Sequence, residues 1–199
     1  MKITATTLMA VMVEVAALAS EPGQPAERMV TVCTEHDPIG VMRAEETASK
    51  MFSSIGVKLD WRRDCLAQGI RISFSEDTPA KRMPHALAYA LPYEGAHIVI
   101  FYDRLRRTVR PAMLPCLLAH VLVHEITHIL QGIQRHSDQG VLKATWDGSD
   151  YLAMGWKPLA FASEDIDLIH RGLAGGAAQA ALPRVAANTE VDAYRAIMQ

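Results

Sequence analysis

The run from Leu117 to Gly132 constrains this chain more than any other, because it sets His124-Glu125-Ile126-Thr127-His128 inside an otherwise apolar segment. Leu117, Leu118, Val121, Leu122, Val123, Ile126, Ile129 and Leu130 are apolar nearly all round a helical wheel, the pattern of a buried helix. Two histidines four apart on such a helix lie one above the other. Buried polar rings need compensation, and one small cation shared by the two imidazoles supplies it. The HExxH spacing is that of a zinc site in which the glutamate after the first ligand takes a proton from water. A tetrahedral catalytic zinc needs a third protein ligand and one open position. Gly132 is expected to end the helix in a left-handed conformation and turn the chain back, with His136 four residues later.

From Val121 to Trp146 the chain resembles the metzincin clan of zinc endopeptidases, its matrixin-like branch in particular, whose pattern is HExxHxxGxxH with a Ser often after the third His and a methionine turn beneath the metal. Here Gly132 and His136 come later than in that pattern, Ser137 follows His136, and Leu142 stands at the methionine position. The chain is also similar to bacterial secreted metzincin-like proteins that carry an HS-x-x-G-[IV]-M-type turn. The resemblance implies Zn²⁺ held by His124, His128 and His136, Glu125 as general base, and a peptide or protein as substrate. It implies an α+β, zincin-like catalytic domain: a twisted mixed sheet, a helix packed on it, and the HExxH helix below.

Two other residues compete for the third ligand position. Glu164, in Ser163-Glu-Asp-Ile-Asp167, lies at a separation that gluzincin-type enzymes use, although the first turn of a Ser163-capped helix accounts for it better. His120 lies one turn before His124, where a ligand would strain the tetrahedron, and reads as a core or supporting histidine. A non-catalytic reading also stands: an exported zincin-fold protein that binds a metal or a partner without turnover, motivated by the longer ligand loop and Leu142.

Half of the 199 residues are apolar, enough for one domain with a substantial core, and a net charge of −2 offers no footprint for nucleic acid. Lys2, the apolar run Ile3–Leu18 and Ala17-Leu18-Ala19 read as a secretory leader cleaved after Ala19, too short for a stable membrane span. The expected organisation is therefore leader 1–19, linker 20–28, zincin-like domain 29–173 and a loosely ordered tail 174–199 with a short helix over Val191–Met198. Secretion, or export to a periplasm, would let two of Cys33, Cys65 and Cys116 pair; each is equally plausible as a small core residue.

Along the chain, Met29–Cys33, Val57–Trp61 and Ile70–Phe74 are patterned as strands, and Val41–Ile55 as an amphipathic helix ended by Gly56. Leu87–Leu91 is a short strand, Pro92–Gly95 a turn, and Ala96–Tyr102 a β-branched, aromatic strand. The cleft-side edge of the sheet is expected from Ala96–Tyr102 ahead of Leu87–Leu91, with His97 facing solvent near the cleft. Pro115 suits the first turn of the HExxH helix. Ala144–Trp146 is expected to seat a bulky side chain under the site, Asp147-Gly148 to form a turn, and Tyr151 is a conceivable oxyanion donor. Trp146, Trp156 and Phe161 read as core anchors, and Ser163–Leu173 as a last helix.

Overall fold

A computed structural model describes residues 28–65, 69–79, 81, 83–91 and 96–179. The leader, the Pro92–Gly95 turn and the helix over Val191–Met198 lie outside the described residues. Five strands, β1 (Arg28–Thr34), β2 (Val57–Arg62), β3 (Ile70–Ser75), β4 (Ala88–Leu91) and β5 (His97–Phe101), form one sheet in the order β2-β1-β3-β5-β4. All pairings are parallel except β4–β5, so the sheet is mixed. The helices are α1 (Val41–Ser53), α2 (Tyr102–Thr108), α3 (Leu114–Gln131), α4 (Gly148–Met154) and α5 (Ser163–Gln179).

Parallel neighbours need a crossover, and α1 supplies it between β1 and β2. Period-two alternation in the strands puts Val30, Val32, Leu59, Ile72, Ile98 and Ile100 on one buried face. There they meet Ala44, Ala48 and Phe52 of α1 and Leu117, Leu118 and Leu122 of α3. Each of the valine, leucine, isoleucine and phenylalanine side chains stabilises the fold by roughly 1.5–3 kcal/mol through burial. The segment Pro111–Gln131 is long and apolar enough to cross a membrane, yet it is 78% buried in the protein, because α3 packs on α1, α5 and β4 together.

Several expectations are corrected. The cleft-side edge strand is β4, and the β-branched run forms β5, paired on both sides. The tighter apolar pattern of β5 belongs to an interior strand, while the small Ala88 and Ala90 leave room for α3. Asp147-Gly148 opens α4 instead of a turn: the Asp147 carboxylate accepts from the Ser149 and Asp150 amides, and Asp150 accepts from the Asp147 amide, a reciprocal cap. Trp156 is 92% exposed and anchors no core, whereas Phe161 packs on Phe52 at 5.3 Å between ring centroids. The last helix continues past Leu173 to Gln179, through Ala174-Gly175-Gly176-Ala177-Ala178-Gln179, although the two glycines are poor helix formers. Cys33 and Cys65 form a disulfide with Cα atoms 5.4 Å apart, and Cys116 is free.

Candidate metal centre

Helix α3 carries Pro115 in its first turn and ends at Gly132, which adopts φ 68°. Its 3.6-residue period brings the rings of His124 and His128 to 4.7 Å between centroids, with their Nε2 atoms 3.1 Å apart. The Nδ1 of His124 lies 2.9 Å from the Val141 carbonyl oxygen, and that of His128 lies 3.2 Å from the Ile133 carbonyl oxygen. A carbonyl only accepts, so each Nδ1 carries the hydrogen and each Nε2 presents a bare lone pair. Two lone pairs at that distance repel unless a cation lies between them. Imidazole nitrogens on a tetrahedral zinc at about 2.0–2.1 Å stand roughly 3.3 Å from each other, close to this separation.

His136 joins them from the loop after α3. Its ring centroid is 5.2 Å from that of His124 and 5.0 Å from that of His128, and one ligand atom from each of the three lies within 4.8 Å of the others. The residues present therefore fit a divalent cation of zinc type. Burial, with the neighbouring His128, holds the His124 imidazole down to about 3; burial holds His128 down to about 4 and lowers His136 as well. All three are neutral at physiological pH, the state in which imidazole ligates. Glu125 is 8% exposed, and burial alone pushes its carboxyl up to about 8.

The ligand loop is longer than in the metzincin pattern and is held from outside. The Arg135 guanidinium donates to Asp165 at 2.9 Å and to Glu164 at 2.5 Å, and the Ser137 hydroxyl donates to Asp165 at 2.7 Å. Asp165 is completely buried. Farther along, the Val141 amide donates to the Ala160 carbonyl at 3.0 Å. Gly140 makes that approach possible: it adopts φ +76°, and a Cβ there would lie 2.2 Å from the Ala160 oxygen. The turn Gly140–Leu142 thus sits against His124, with Leu142 fully buried at the position expected of a methionine.

Glu164 stays with Arg135, its side chain 63% exposed, and does not join the histidines. His120 is fully buried and structural: its Nδ1 lies 2.7 Å from the Cys116 carbonyl oxygen, and its Nε2 accepts the Leu159 amide at 3.0 Å. Trp146 packs edge-on against His124 at 5.6 Å and against His120 at 6.3 Å, the bulky support expected from Ala144–Trp146.

A cavity of about 640 Å³ opens over the three histidines and Glu125. One wall is the segment Leu87–Ala90, including β4; the other is Lys143–Trp146 with Tyr151. His97 is not on the wall. It lies 2.9 Å from the Ser73 hydroxyl, while His85 and Arg107, which the sequence pattern did not single out, do line the cavity. Asp165 was likewise invisible among helix-opening acids; the signal available was its spacing beside Glu164, opposite an arginine and a serine flanking His136.

No family model matches the chain, and no curated protein matches it. Among solved structures the chain is similar to archaemetzincin from Methanopyrus kandleri, with 13% identity, a TM-score of 0.54, and coverage of 77% of this chain and 99% of that one. What the two share is the fold, an α+β arrangement of a mixed sheet with helices.

Proposed function

We propose that this protein is a zinc-dependent endopeptidase in which His124, His128 and His136 hold the metal and Glu125 is the general base. The observation that carries the reading is the pair of Nε2 atoms 3.1 Å apart, each left bare by an Nδ1 committed to a backbone carbonyl. The fold likeness to a protein named archaemetzincin supports it. Zinc, when bound, supplies Lewis acidity that polarises a scissile carbonyl and lowers the pKa of water toward about 7.

The chain's own residues do the rest. Val141 and Ile133 fix the tautomer and tilt of the two helical imidazoles through their carbonyls. The β4 wall of the cavity offers an extended peptide the backbone groups of a sheet edge. Glu125, on the cavity floor, is held up to about 8 by burial in the metal-free chain; the positive charge of a bound zinc would favour its carboxylate form. That carboxylate takes a proton from the attacking water and passes it to the departing amine. Tyr151 lines the opposite wall and is the candidate donor to the carbonyl oxygen.

Within the same proposal, residues 1–19 are a leader removed after Ala19, and the protein works outside the cytoplasm, where the Cys33–Cys65 disulfide is at home. Elemental analysis of the purified protein tests the metal: about one zinc per chain is expected, from a single three-histidine site. Glu125→Gln retains that zinc while peptide turnover falls by at least about a hundredfold. Undiminished cleavage by that variant overturns the mechanism.

A further inference from the structure

The cavity is charged asymmetrically. Among its described lining residues, Arg104, Arg107 and Lys143 are cationic, and the sole carboxylate is Glu125, on the floor beside the histidines. The three cations are not equivalent. Lys143 is held between Asp147 at 3.0 Å and Asp150 at 2.5 Å. Arg104 shapes the rim: it donates to the Met83 carbonyl at 2.7 Å and to the Ala86 carbonyl at 2.8 Å, and stacks over Phe101 at 4.5 Å. That rim contains Met83 at φ 45° and His85 at φ 71°, left-handed conformations that a non-glycine residue keeps only when its surroundings hold it there.

Arg107 is the cation that faces outward. Its guanidinium donates through one nitrogen to Asp103, which is 5% exposed and also accepts the Thr78 hydroxyl at 2.7 Å. The Arg107 side chain is otherwise 69% exposed. A guanidinium has five N–H donors in a planar fork. One nitrogen is anchored to a buried carboxylate, which leaves further donors on a side chain that lines the cavity. The same cavity is also lined by apolar Met83, Ala86, Leu87, Ala88 and Val121.

We infer that Arg107 recognises a carboxylate of the substrate, so that the cleft selects peptides with an Asp or Glu side chain, or a C-terminal carboxylate, next to the bond presented to the histidines. This deepens the peptidase reading and rests on it. A lysine or arginine at the same place would meet Arg107 and no lining carboxylate short of the buried Glu125.

The test uses the zinc-loaded full chain and peptide sets identical except for Glu, Gln or Lys at each position around the scissile bond, each made with a free and an amidated C-terminus. At one position the Glu peptide is expected to be cleaved with a kcat/KM about tenfold above its Gln counterpart, as one charge-assisted hydrogen bond contributes, with Lys lower still. If the gain follows the free C-terminus instead, the carboxylate recognised is the terminal one. The double variant Arg107→Gln/Asp103→Asn, which leaves no buried charge behind, is expected to bring the Glu/Gln ratio close to one. Arg107→Lys keeps Asp103 paired and retains a reduced preference.

Binding of the same peptides to Glu125→Gln, followed by fluorescence, separates the two levels of the argument. Charge-selective binding without cleavage by the wild type removes the peptidase reading and keeps the carboxylate site. Cleavage with equal rates for Glu, Gln and Lys overturns the carboxylate site alone. Binding of no peptide in the set overturns it as well.

Discussion

The helical half of the histidine cluster and its loop half are built by different means. His124 and His128 belong to one buried helix, and the helical period alone puts their rings together. His136 is exposed, and its loop is held from downstream: Asp165 and Glu164 grip Arg135 and Asp165 grips Ser137 across 28–30 positions, and Ala160 grips Val141. The contrast teaches that one histidine cluster can have a component fixed by local geometry and another that depends on tertiary packing. The first is hard to disturb without removing a ligand. The second is open to change from a distance.

Removing a ligand from the rigid half has the largest expected effect. His128→Ala should weaken zinc binding by more than about a hundredfold, beyond the loss expected when only a supporting partner is removed. His136→Ala should weaken it less, since the helical pair survives. A chelator competition titration ranks the two, and equal losses would erase the distinction between the halves.

Loosening the loop comes next. Asp165→Ala strips a fully buried carboxylate from Arg135 and Ser137, and should lower stability by about 1–3 kcal/mol and zinc affinity by roughly tenfold. Glu164→Ala, in an exposed pair with the same arginine, should cost less than about 1 kcal/mol and leave the metal in place. Thermal melts with and without zinc report both variants. Unchanged zinc affinity in Asp165→Ala would show that the loop finds the metal without its bracket.

The smallest effect concerns pH and the metal-free protein. His124 and His128 are held at about 3 and about 4 against an ordinary 6.5, so from about pH 4 to 6.5 the unfolded chain binds more protons and stability rises with pH. The lowered His120 and His136 act in the same direction. Glu125, held at about 8 against an ordinary 4.5, opposes them: between those values the folded chain binds the extra proton, and stability falls as pH rises. The histidines prevail below about 6.5 and Glu125 acts alone above it, so stability should peak near pH 6.5 and decline toward 8. Denaturant titrations across this range should show the decline in the wild type and its absence in Glu125→Gln.

The same division separates what could be read in the sequence from what could not. Strands β1, β2 and β3, helix α1 and the span of α3 follow from periodicity, because each pattern is completed within one element. The edge role of β4 could not be read that way, since being at an edge depends on which strands pair, and β5 is the more strand-like of the two. Helix α4 was missed because Asp147-Gly148 is also a turn signal, and only the cap from Asp150 decides between the two. Trp156 was misplaced because aromatic character says nothing about which side of a helix end meets solvent.

By itself the amino-acid order determined the stacked histidines with Glu125 between them, the apolar helix that carries them and the strand-rich domain before it, because those depend on spacing over a few residues. The tertiary structure decided that His136 and not Glu164 stands with the pair, which strand borders the cleft, which cysteines join, and that Arg107 lines the wall. Those are meetings between residues far apart in the chain, and the energy that selects them comes from packing and hydrogen bonds that exist only once the fold has closed.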